Sequence, residues 1–132
     1  MKELPTVADC MAKRPRSLAP DTPILDAIKF LLKHRISGAP VVDADGKLVG
    51  IISEKDCLKL VARGVDNRPP TGCVADFMSR EVRCIPSNMD IYFAAGRFLA
   101  EVFRRFPVVD DGRLVGQISR RDLLAAMLAN LD

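Results

Sequence analysis

The 132-residue sequence lacks most of the motifs on which catalytic and metal sites depend. It has a single histidine, and its four cysteines form no Cys-x-x-Cys pair, so a structural zinc site is not expected. The elements Gly-x-x-x-x-Gly-Lys, Gly-x-Ser-x-Gly and His-Glu-x-x-His are also absent. No nucleophile, base and oxyanion group converge in the sequence, and this argues against an enzyme.

Charge and hydropathy argue against further classes of protein, namely nucleic-acid-binding, membrane-binding and secreted ones. Twenty basic side chains stand against 17 acidic ones, and no run of five like charges occurs. This balance argues against a nucleic-acid or membrane surface. There is no signal peptide and no long apolar run, and the thiols are scattered, so we expect the reducing cytoplasm. We interpret the cysteines as small buried or half-buried apolar residues.

What the sequence does contain is an internal duplication. The segment that begins at Pro40 returns at Pro107, and 13 of 18 aligned positions are identical. The shorter segment Val7-Ala8-Asp9-Cys10-Met11 returns as Val74-Ala75-Asp76-Phe77-Met78 at the same offset of 67 residues. Such a repeat predicts two copies of one structural unit. Each copy alone is marginal in size, so we expect the two motifs to form one cooperative module. The first copy is predicted at 1–64 and the second at 74–132, joined by a linker at 65–73 that is rich in helix- and strand-breaking residues.

The pattern within the first copy predicts an extended piece at 16–18, a helix, a hairpin and a second helix. Thr22 and Pro23 resemble a helix N-cap and first-turn proline. Asp45-Gly46 marks the hairpin turn. The apolar face of the first helix is predicted to be Ile24, Ala27, Ile28, Leu31 and Leu32, and that of the second Leu58 and Val61 with a stop at Gly64.

The second copy repeats this order from the extended piece at 83–85. Its first helix is predicted to bury Ile91, Ala94, Ala95, Phe98, Leu99, Val102 and Phe103, and its last helix Leu123, Leu124, Met127, Leu128 and Leu131. Gly96 is expected to permit close packing in the first of these helices. Each copy is therefore predicted to have the element order β-α-β-β-α. The predicted fold class is α/β (α+β).

These residues resemble the cystathionine-β-synthase (CBS) domain family, as a tandem pair. The resemblance is carried by the Val-Ala-Asp-x-Met opening, by the segment from Ile36 to Asp43, and by Gly-x-Ile-Ser-x-x-Asp in both copies. It implies a pseudo-twofold module in which two sheets face each other and leave two clefts. It also implies that the clefts bind adenine nucleotides and that the module often forms a homodimer.

Ser-x-x-Asp has a physical interpretation of its own. A serine at a helix N-cap leaves first-turn N–H groups facing outward, which suits an anion. The aspartate one turn later adds an acceptor for a pair of ribose hydroxyls. The family resemblance assigns ribose binding to Ser53 with Asp56 and to Ser119 with Asp122. A plain capping interaction, worth about 0.5–2 kcal/mol, is the alternative.

The resemblance places adenine beside the extended pieces and the residues that enter the second strand. The predicted contacts are Ser17, Leu18, Ile36, Ala39 and Pro40 in the first copy, and Cys84, Ile85, Arg105, Phe106 and Pro107 in the second. All of these also suit core or strand-edge positions. Phe106 either stacks on a base or fills the cleft.

Phosphate binding is predicted to differ between the copies. The basic candidates are Lys55 in the first copy and Arg104, Arg105, Arg120 and Arg121 in the second. Glu54 of the first copy corresponds to Arg120, and a carboxylate beside Lys55 disfavours phosphate. We therefore expect the arginine-rich copy to hold phosphate better.

The sequence is interpreted first as a regulatory sensor that binds AMP, ADP or ATP and relays this to an unidentified partner protein. No cofactor is required, and neither nucleic acid nor a membrane is an expected partner. The alternative is a dimerisation scaffold without ligand. Exposed apolar residues such as Leu123, Met127 and Leu131 would favour a homodimer.

Overall fold

The computed structural model describes residues 3–64 and 68–131. The predicted linker residues Val65, Asp66 and Asn67 lie outside these ranges, as do Met1, Lys2 and Asp132. In chain order the elements are α1 (Val7–Cys10), β1 (Ala12–Lys13), α2 (Ile24–His34), β2 (Gly38–Val42), β3 (Leu48–Ser53), α3 (Glu54–Arg63), α4 (Val74–Phe77), α5 (Ile91–Ala100), β4 (Arg105–Asp110), β5 (Arg113–Ser119) and α6 (Arg120–Asn130). This is the mixed α/β architecture that the repeat predicts.

The chain divides into two compact units. Unit 1 comprises Met1–Pro15 and Arg83–Asp132, and unit 2 comprises Arg16–Val82. The opening segment of the first sequence copy thus belongs to unit 1, and that of the second copy to unit 2. The packing units and the sequence copies therefore have different boundaries.

The sheet of unit 2 is a two-stranded antiparallel hairpin of β2 and β3. Its turn is at Asp45-Gly46 as predicted, where Gly46 has a φ of +82° that suits glycine. The predicted first strand is reduced to one parallel bridge, in which Leu18 pairs with Val41. Two backbone hydrogen bonds hold this bridge, from Leu18 N to Pro40 O and from Val42 N to Leu18 O.

Helix α2 begins at Ile24, later than predicted. The carbonyl of Thr22 accepts the backbone N–H of Val74, and Pro23 pairs with Cys73 in extended conformation. Because Pro23 is extended and immediately precedes the helix, Thr22 is not the cap and Pro23 is not in the first turn. The cap position is Pro23, which has no side-chain capping bond.

The core of unit 2 uses fewer leucines than predicted. Its buried members are Leu18, Ile24, Ala27, Leu31, Ala39, Val41, Ile52, Cys57 and Val74. Leu32, Leu58 and Val61 are 71%, 64% and 65% exposed, so their predicted burial is wrong. Helix α3 instead turns Cys57 toward the core and half-buries Leu60.

Unit 1 has a three-stranded sheet in the order β1-β5-β4. Strand β1 comes from the start of the chain and pairs antiparallel with Gln117 and Gly116 of β5. Ile85 forms the single parallel bridge to Val108 that corresponds to the bridge in unit 2. The core contains Val7, Ile85, Ile91, Ala94, Phe98, Phe106, Val108, Ile118 and Leu123.

Several predictions for the helices of unit 1 are wrong. Helix α5 ends at Ala100, so Val102 and Phe103 lie beyond it, and Leu99 on the helix is 88% exposed. Of the residues predicted to be buried in the last helix, only Leu123 is buried. The others are exposed: Leu124, Met127, Leu128 and Leu131. A Cβ at Gly96 would meet nothing within 4 Å, so this glycine does not serve close packing.

Close packing occurs instead at the glycine in the middle of each unit's last strand. A Cβ at Gly50 would lie 2.6 Å from Sδ of Met78 and 2.8 Å from the carbonyl oxygen of Ser79. At Gly116 it would collide with Sδ of Met11 and lie 2.9 Å from the carbonyl oxygen of Ala12. The methionine of each Val-Ala-Asp-x-Met segment therefore covers a strand where only glycine fits.

No helix within the described ranges is long and apolar enough to cross a membrane.

Candidate functional site

In unit 2, Ser53 and Asp56 form a complete capping box at the start of α3. The backbone N–H of Asp56 donates to Ser53 Oγ at 3.1 Å. Asp56 Oδ2 accepts from Ser53 N at 2.9 Å and from Ser53 Oγ at 2.8 Å. Within the described residues, Oδ1 of Asp56 accepts no hydrogen bond, so one carboxylate oxygen stays available to a ligand.

Unit 1 repeats this arrangement at the start of α6. Asp122 N donates to Ser119 Oγ at 3.1 Å, and Ser119 N donates to Asp122 Oδ2 at 2.9 Å. Here too Oδ1 of the aspartate has no partner in the part of the chain that the structure describes. Both aspartates are half-buried.

Of the predicted base-binding residues of unit 2, Ala39 and Pro40 lie on β2 and Leu18 forms the bridge to Val41, whereas Ser17 and Ile36 lie outside the strands. The register places Gly38 directly opposite Ser53. Ser17 and Ile36 are half-buried, whereas Leu18, Ala39 and Pro40 are buried. Of the buried residues, only backbone groups can face a ligand without opening the core. Lys55 is exposed in the first turn of α3.

Unit 1 carries a cluster of arginines at the corresponding place. Arg105 lies opposite Ser119 in the register of β4 and β5. The backbone N–H of Arg120 donates to the carbonyl of Arg104 at 3.1 Å, so these two residues are adjacent. The side chains of all four predicted phosphate ligands are exposed: Arg104, Arg105, Arg120 and Arg121. Cys84 is half-buried, and Ile85 and Pro107 are buried.

Phe106 is a core residue. It is fully buried, and its ring makes edge contacts with Phe98 and Phe103 at centroid distances of 4.7 and 5.9 Å. Of the two roles predicted for this side chain, filling space is the one that its burial permits. A base could stack on it only after the core of unit 1 had opened.

Arg97 is a residue that the sequence interpretation missed. Its guanidinium donates from Nη2 to the carbonyl of Cys84 at 3.4 Å and lies 5.5 Å from the centroid of the Phe106 ring. Its Nε donates to Glu101 at 3.3 Å. The spacing of Arg97 and Glu101, four residues apart on a helix, was the signal available in the sequence.

Comparison with known proteins decides the family. The model of the CBS domain matches twice, at residues 7–63 and 74–129. The chain is a tandem pair of CBS domains. An uncharacterized protein of Methanocaldococcus jannaschii, MJ1426, is 32% identical over 96% of this chain and 93% of its own length. Some relatives are longer: the inosine-5'-monophosphate dehydrogenase of the same organism is 35% identical over 82% of this chain, which spans 21% of that enzyme.

Solved CBS pairs share this fold. The structure of CBSX2 in complex with AMP has a TM-score of 0.80 and 31% identity, with coverage of 95% of this chain and 97% of that one. The CBS pair of protein MJ0100, in complex with 5-methylthioadenosine and S-adenosyl-L-methionine, has a TM-score of 0.75 and 28% identity, with coverage of 98% and 100%. These two CBS pairs thus bind ligands that contain adenosine.

Two thiols of the CBS pair lie near the Ser-x-x-Asp elements. Burial raises the pKa of the Cys10 thiol, and the Asp122 and Asp9 carboxylates raise it further. Burial likewise raises the pKa of Cys57, with added effects from Asp56 and Glu54. Because the thiolate is the nucleophilic form, neither thiol is activated. All four cysteines are free and buried or half-buried, as predicted.

Proposed function

We propose that this CBS pair is a sensor that binds adenosine-containing nucleotides at the Ser-x-x-Asp element of each unit. The observation that supports this most directly is that the two carboxylate oxygens of each aspartate have different partners. Oδ2 completes the helix cap, and Oδ1 is left without a protein partner in the described residues. Because the cap uses Oδ2, Oδ1 can accept a ribose hydroxyl without loss of the cap.

In this proposal the free oxygens of Asp56 and Asp122 accept the ribose hydroxyls. In each first turn two N–H groups already donate within the protein, those of Glu54 and Asp56 in α3 and those of Arg120 and Asp122 in α6. The positive helix ends and the remaining N–H groups, of Lys55 and Arg121, favour a phosphate nearby. The base lies against the backbone of Ser17 and Ala39 in unit 2, or of Cys84 and Pro107 in unit 1. The exposed arginines at the start of α6 bind phosphate oxygens in unit 1.

The relatives support the ligand class. CBSX2 was solved with AMP, and the MJ0100 pair with two adenosine derivatives that carry sulfur. AMP, ADP and ATP share the ribose and base that the proposed sites contact, so they are the first ligands to test. The free thiols are the state that a reducing cytoplasm would maintain.

Regulation, rather than catalysis, is the proposed activity. A bound nucleotide changes a conformational equilibrium only by the amount by which it prefers one state. The proposed output is therefore a change in the association of the pair with a partner protein, and no residue is assigned to bond-making chemistry.

Thermal unfolding with and without AMP, ADP, ATP and S-adenosyl-L-methionine tests the binding. Saturation at about 100 times Kd contributes about 2.7 kcal/mol, which raises the midpoint by several degrees. Asp56→Asn and Asp122→Asn keep an acceptor for the cap while weakening the ribose contact, so each should reduce that rise. If no ligand moves the midpoint of the folded wild type, the sensor proposal is wrong.

The alternative, a scaffold that dimerises without ligand, is favoured by one specific observation. Helix α6 exposes Leu124, Met127 and Leu128, which are 61%, 38% and 71% exposed, with Leu131 just beyond its end. Such a face suits a second copy of the chain, and homodimer formation is compatible with the sensor as well. Light scattering should give a dimer mass in the micromolar range, and Leu128→Glu should shift it toward the monomer.

A further inference from the structure

The outer side of the helix pair in unit 1 is apolar and almost free of charge. Helices α5 and α6 contact each other and turn one side to the core, through Ile91, Ala94, Phe98 and Leu123. Their opposite side exposes six large apolar residues, which together are called the unit 1 face: Tyr92, Phe93, Leu99, Leu124, Met127 and Leu128. The segment from Leu123 to Leu131 contains no charged residue. The one charged residue of α5, Arg97, is bound to Glu101 and to the carbonyl of Cys84.

The unit 1 face is large for a surface that is exposed to water. Its six residues are between 38% and 88% exposed. At about 150–250 Å² for a large side chain, these fractions amount to roughly 700 Å² of apolar area. The largest apolar patch on a typical monomer is about 300–600 Å², and a stable interface buries about 800 Å² of each partner. The face therefore approaches the area of a protein–protein contact.

Unit 2 provides an internal comparison for this face. Its helices α2 and α3 correspond to α5 and α6 at offsets of 67 and 66 residues, and they expose five charged residues where the unit 1 helices have uncharged ones. The charged residues Asp26, Lys29, Lys33, Lys59 and Arg63 correspond to Phe93, Gly96, Ala100, Ala125 and Ala129. Four of the five are basic. Because unit 2 has the same backbone plan and carries these charges, the fold does not require a charge-free face.

We infer that the unit 1 face is the surface through which two copies of the chain pair, unit 1 against unit 1 about a twofold axis. In such an isologous contact, residues near the axis meet their own copies, so a like charge there repels itself. The four cations of unit 2 would repel in this way, whereas their counterparts in unit 1 are uncharged. An acidic partner protein would instead be attracted by cations on the face, and the face has none.

The other pairings of the two faces are less favourable. A contact of unit 1 with unit 2 would bury Lys59 and Arg63 against apolar residues that offer no carboxylate. The charges nearest to the unit 1 face are Arg120 and Arg121, in the first turn of α6. Interfaces have an apolar core and a polar rim, so charges at this end of the helix are compatible with the contact.

A matched pair of variants tests which unit forms the contact. Leu124 and Leu58 occupy corresponding helix positions and are 61% and 64% exposed, so a glutamate at either adds the same charge to a similar environment. Sedimentation velocity and light scattering across micromolar concentrations measure the dissociation constant of the dimer. Leu124→Glu should raise it about 100-fold or more, because two carboxylates are then buried in the contact. Leu58→Glu should change it by about twofold at most.

The same pair of variants identifies every other arrangement. If both variants weaken the dimer alike, unit 1 pairs with unit 2 and the inference is wrong. If Leu58→Glu alone weakens it, or if neither does, the contact lies elsewhere and the inference is again wrong. A wild-type chain that is monomeric throughout the micromolar range overturns it as well.

A second pair guards against a loss of folding in Leu124→Glu, which far-UV circular dichroism would show. Ala125→Lys gives unit 1 the residue that unit 2 has at the corresponding position, and it should weaken the dimer about tenfold. Lys59→Ala, the reverse change in unit 2, should leave the dissociation constant unaltered. An unaltered constant in Ala125→Lys would contradict the inference even if Leu124→Glu did not fold.

The inference stands apart from nucleotide binding. A chain that dimerises through unit 1 and whose melting midpoint no nucleotide moves loses the sensor proposal and keeps this one. A chain that binds nucleotide as a monomer keeps the sensor proposal and loses this one.

Discussion

Units 1 and 2 use the same backbone plan and fill it with different side chains. The hairpin registers correspond, since Gly38 pairs with Ser53 in unit 2 and Arg105 with Ser119 in unit 1. Around this shared frame the core differs. The aromatic cluster of unit 1, Phe98, Phe103 and Phe106, corresponds to Leu31, Ile36 and Ala39 in unit 2.

The difference shows which parts of the duplicated unit the fold requires. Both copies retain the capping serine and aspartate, the strand glycine and the methionine that covers it. The residues that differ include core residues, such as Phe106 and Ala39, and helix residues, such as Arg97 and Phe30. The shared residues therefore maintain the backbone frame of both units, and the residues that differ give each unit its own core and surface.

The largest effect that this comparison predicts is at Phe106. Phe106→Ala removes a fully buried ring, whereas unit 2 has alanine at the corresponding position with smaller neighbours already in place. We expect the free energy of unfolding to fall by about 3–5 kcal/mol, because the two remaining rings cannot close the cavity. Urea denaturation measures this. Phe93→Ala, at a 66% exposed position of α5, should change stability by well under 1 kcal/mol; equal losses would show that Phe106 is not a core residue.

The next effect concerns the strand glycines and should be alike in both units. Gly50→Ala and Gly116→Ala each place a Cβ under 3.0 Å from a backbone carbonyl oxygen, so the covering segment must shift. We expect each to destabilise by about 1–3 kcal/mol in urea. In contrast, Gly96→Ala adds a methyl to open space within a helix and should stabilise by roughly 0.5–1 kcal/mol. A neutral result at Gly50 or Gly116 would contradict the close approach of Met78 or Met11.

Phosphate affinity should then distinguish the units. Arg120→Ala removes one of four clustered arginines in unit 1, whereas Lys55→Ala removes a lysine that has Glu54 as its neighbour in unit 2. We expect Arg120→Ala to weaken ATP binding about tenfold, the scale of one charge-assisted hydrogen bond, and Lys55→Ala to have a smaller effect. Isothermal titration measures both. Equal losses would mean that the arginine cluster gives unit 1 no advantage for phosphate.

The smallest effect is a pH dependence that comes from Asp110 in unit 1. Hydrogen bonds from the hydroxyl and N–H of Ser87 lower the pKa of Asp110 below its usual 3.8. In unit 2, Pro20 stands where Ser87 would be, and Asp43 instead accepts from Asp45 and Lys47 in its own turn. Since the folded state favours the ionised form of Asp110, its contribution is present above the unfolded pKa and is lost as pH falls through the folded one.

Ser87→Ala tests this dependence. The variant should be less stable than wild type at about pH 5, by less than about 1 kcal/mol because Asp110 is only half-buried and solvent weakens the interaction. The difference should shrink toward pH 2, as measured by thermal unfolding at each pH. Pro20→Ala is the control from unit 2, and its effect should not follow the titration of a carboxylate. A Ser87→Ala difference that is constant with pH would remove Asp110 from the explanation.

By itself the sequence determined the duplication, the family, the hairpin turns and the capping boxes, because each depends on residues close together in the chain. A helix cap needs Ser and Asp three positions apart, and a tight turn needs glycine at a positive φ, so local pattern is sufficient for both. The serine and aspartate of each predicted ribose-binding pair are also three positions apart, so the sequence identifies the pairs. That they bind ribose is a proposal.

Tertiary structure alone decided what covers each surface. Leu32, Leu58 and Leu128 have the spacing of buried residues but are exposed, since a helical pattern does not say whether a neighbouring element is present to cover it. Likewise the burial of Phe106, the approach of Met11 and Met78 to the strand glycines, and the placement of Arg97 on the Cys84 carbonyl join segments distant in sequence. Such contacts depend on how the whole unit packs, and no local pattern specifies them.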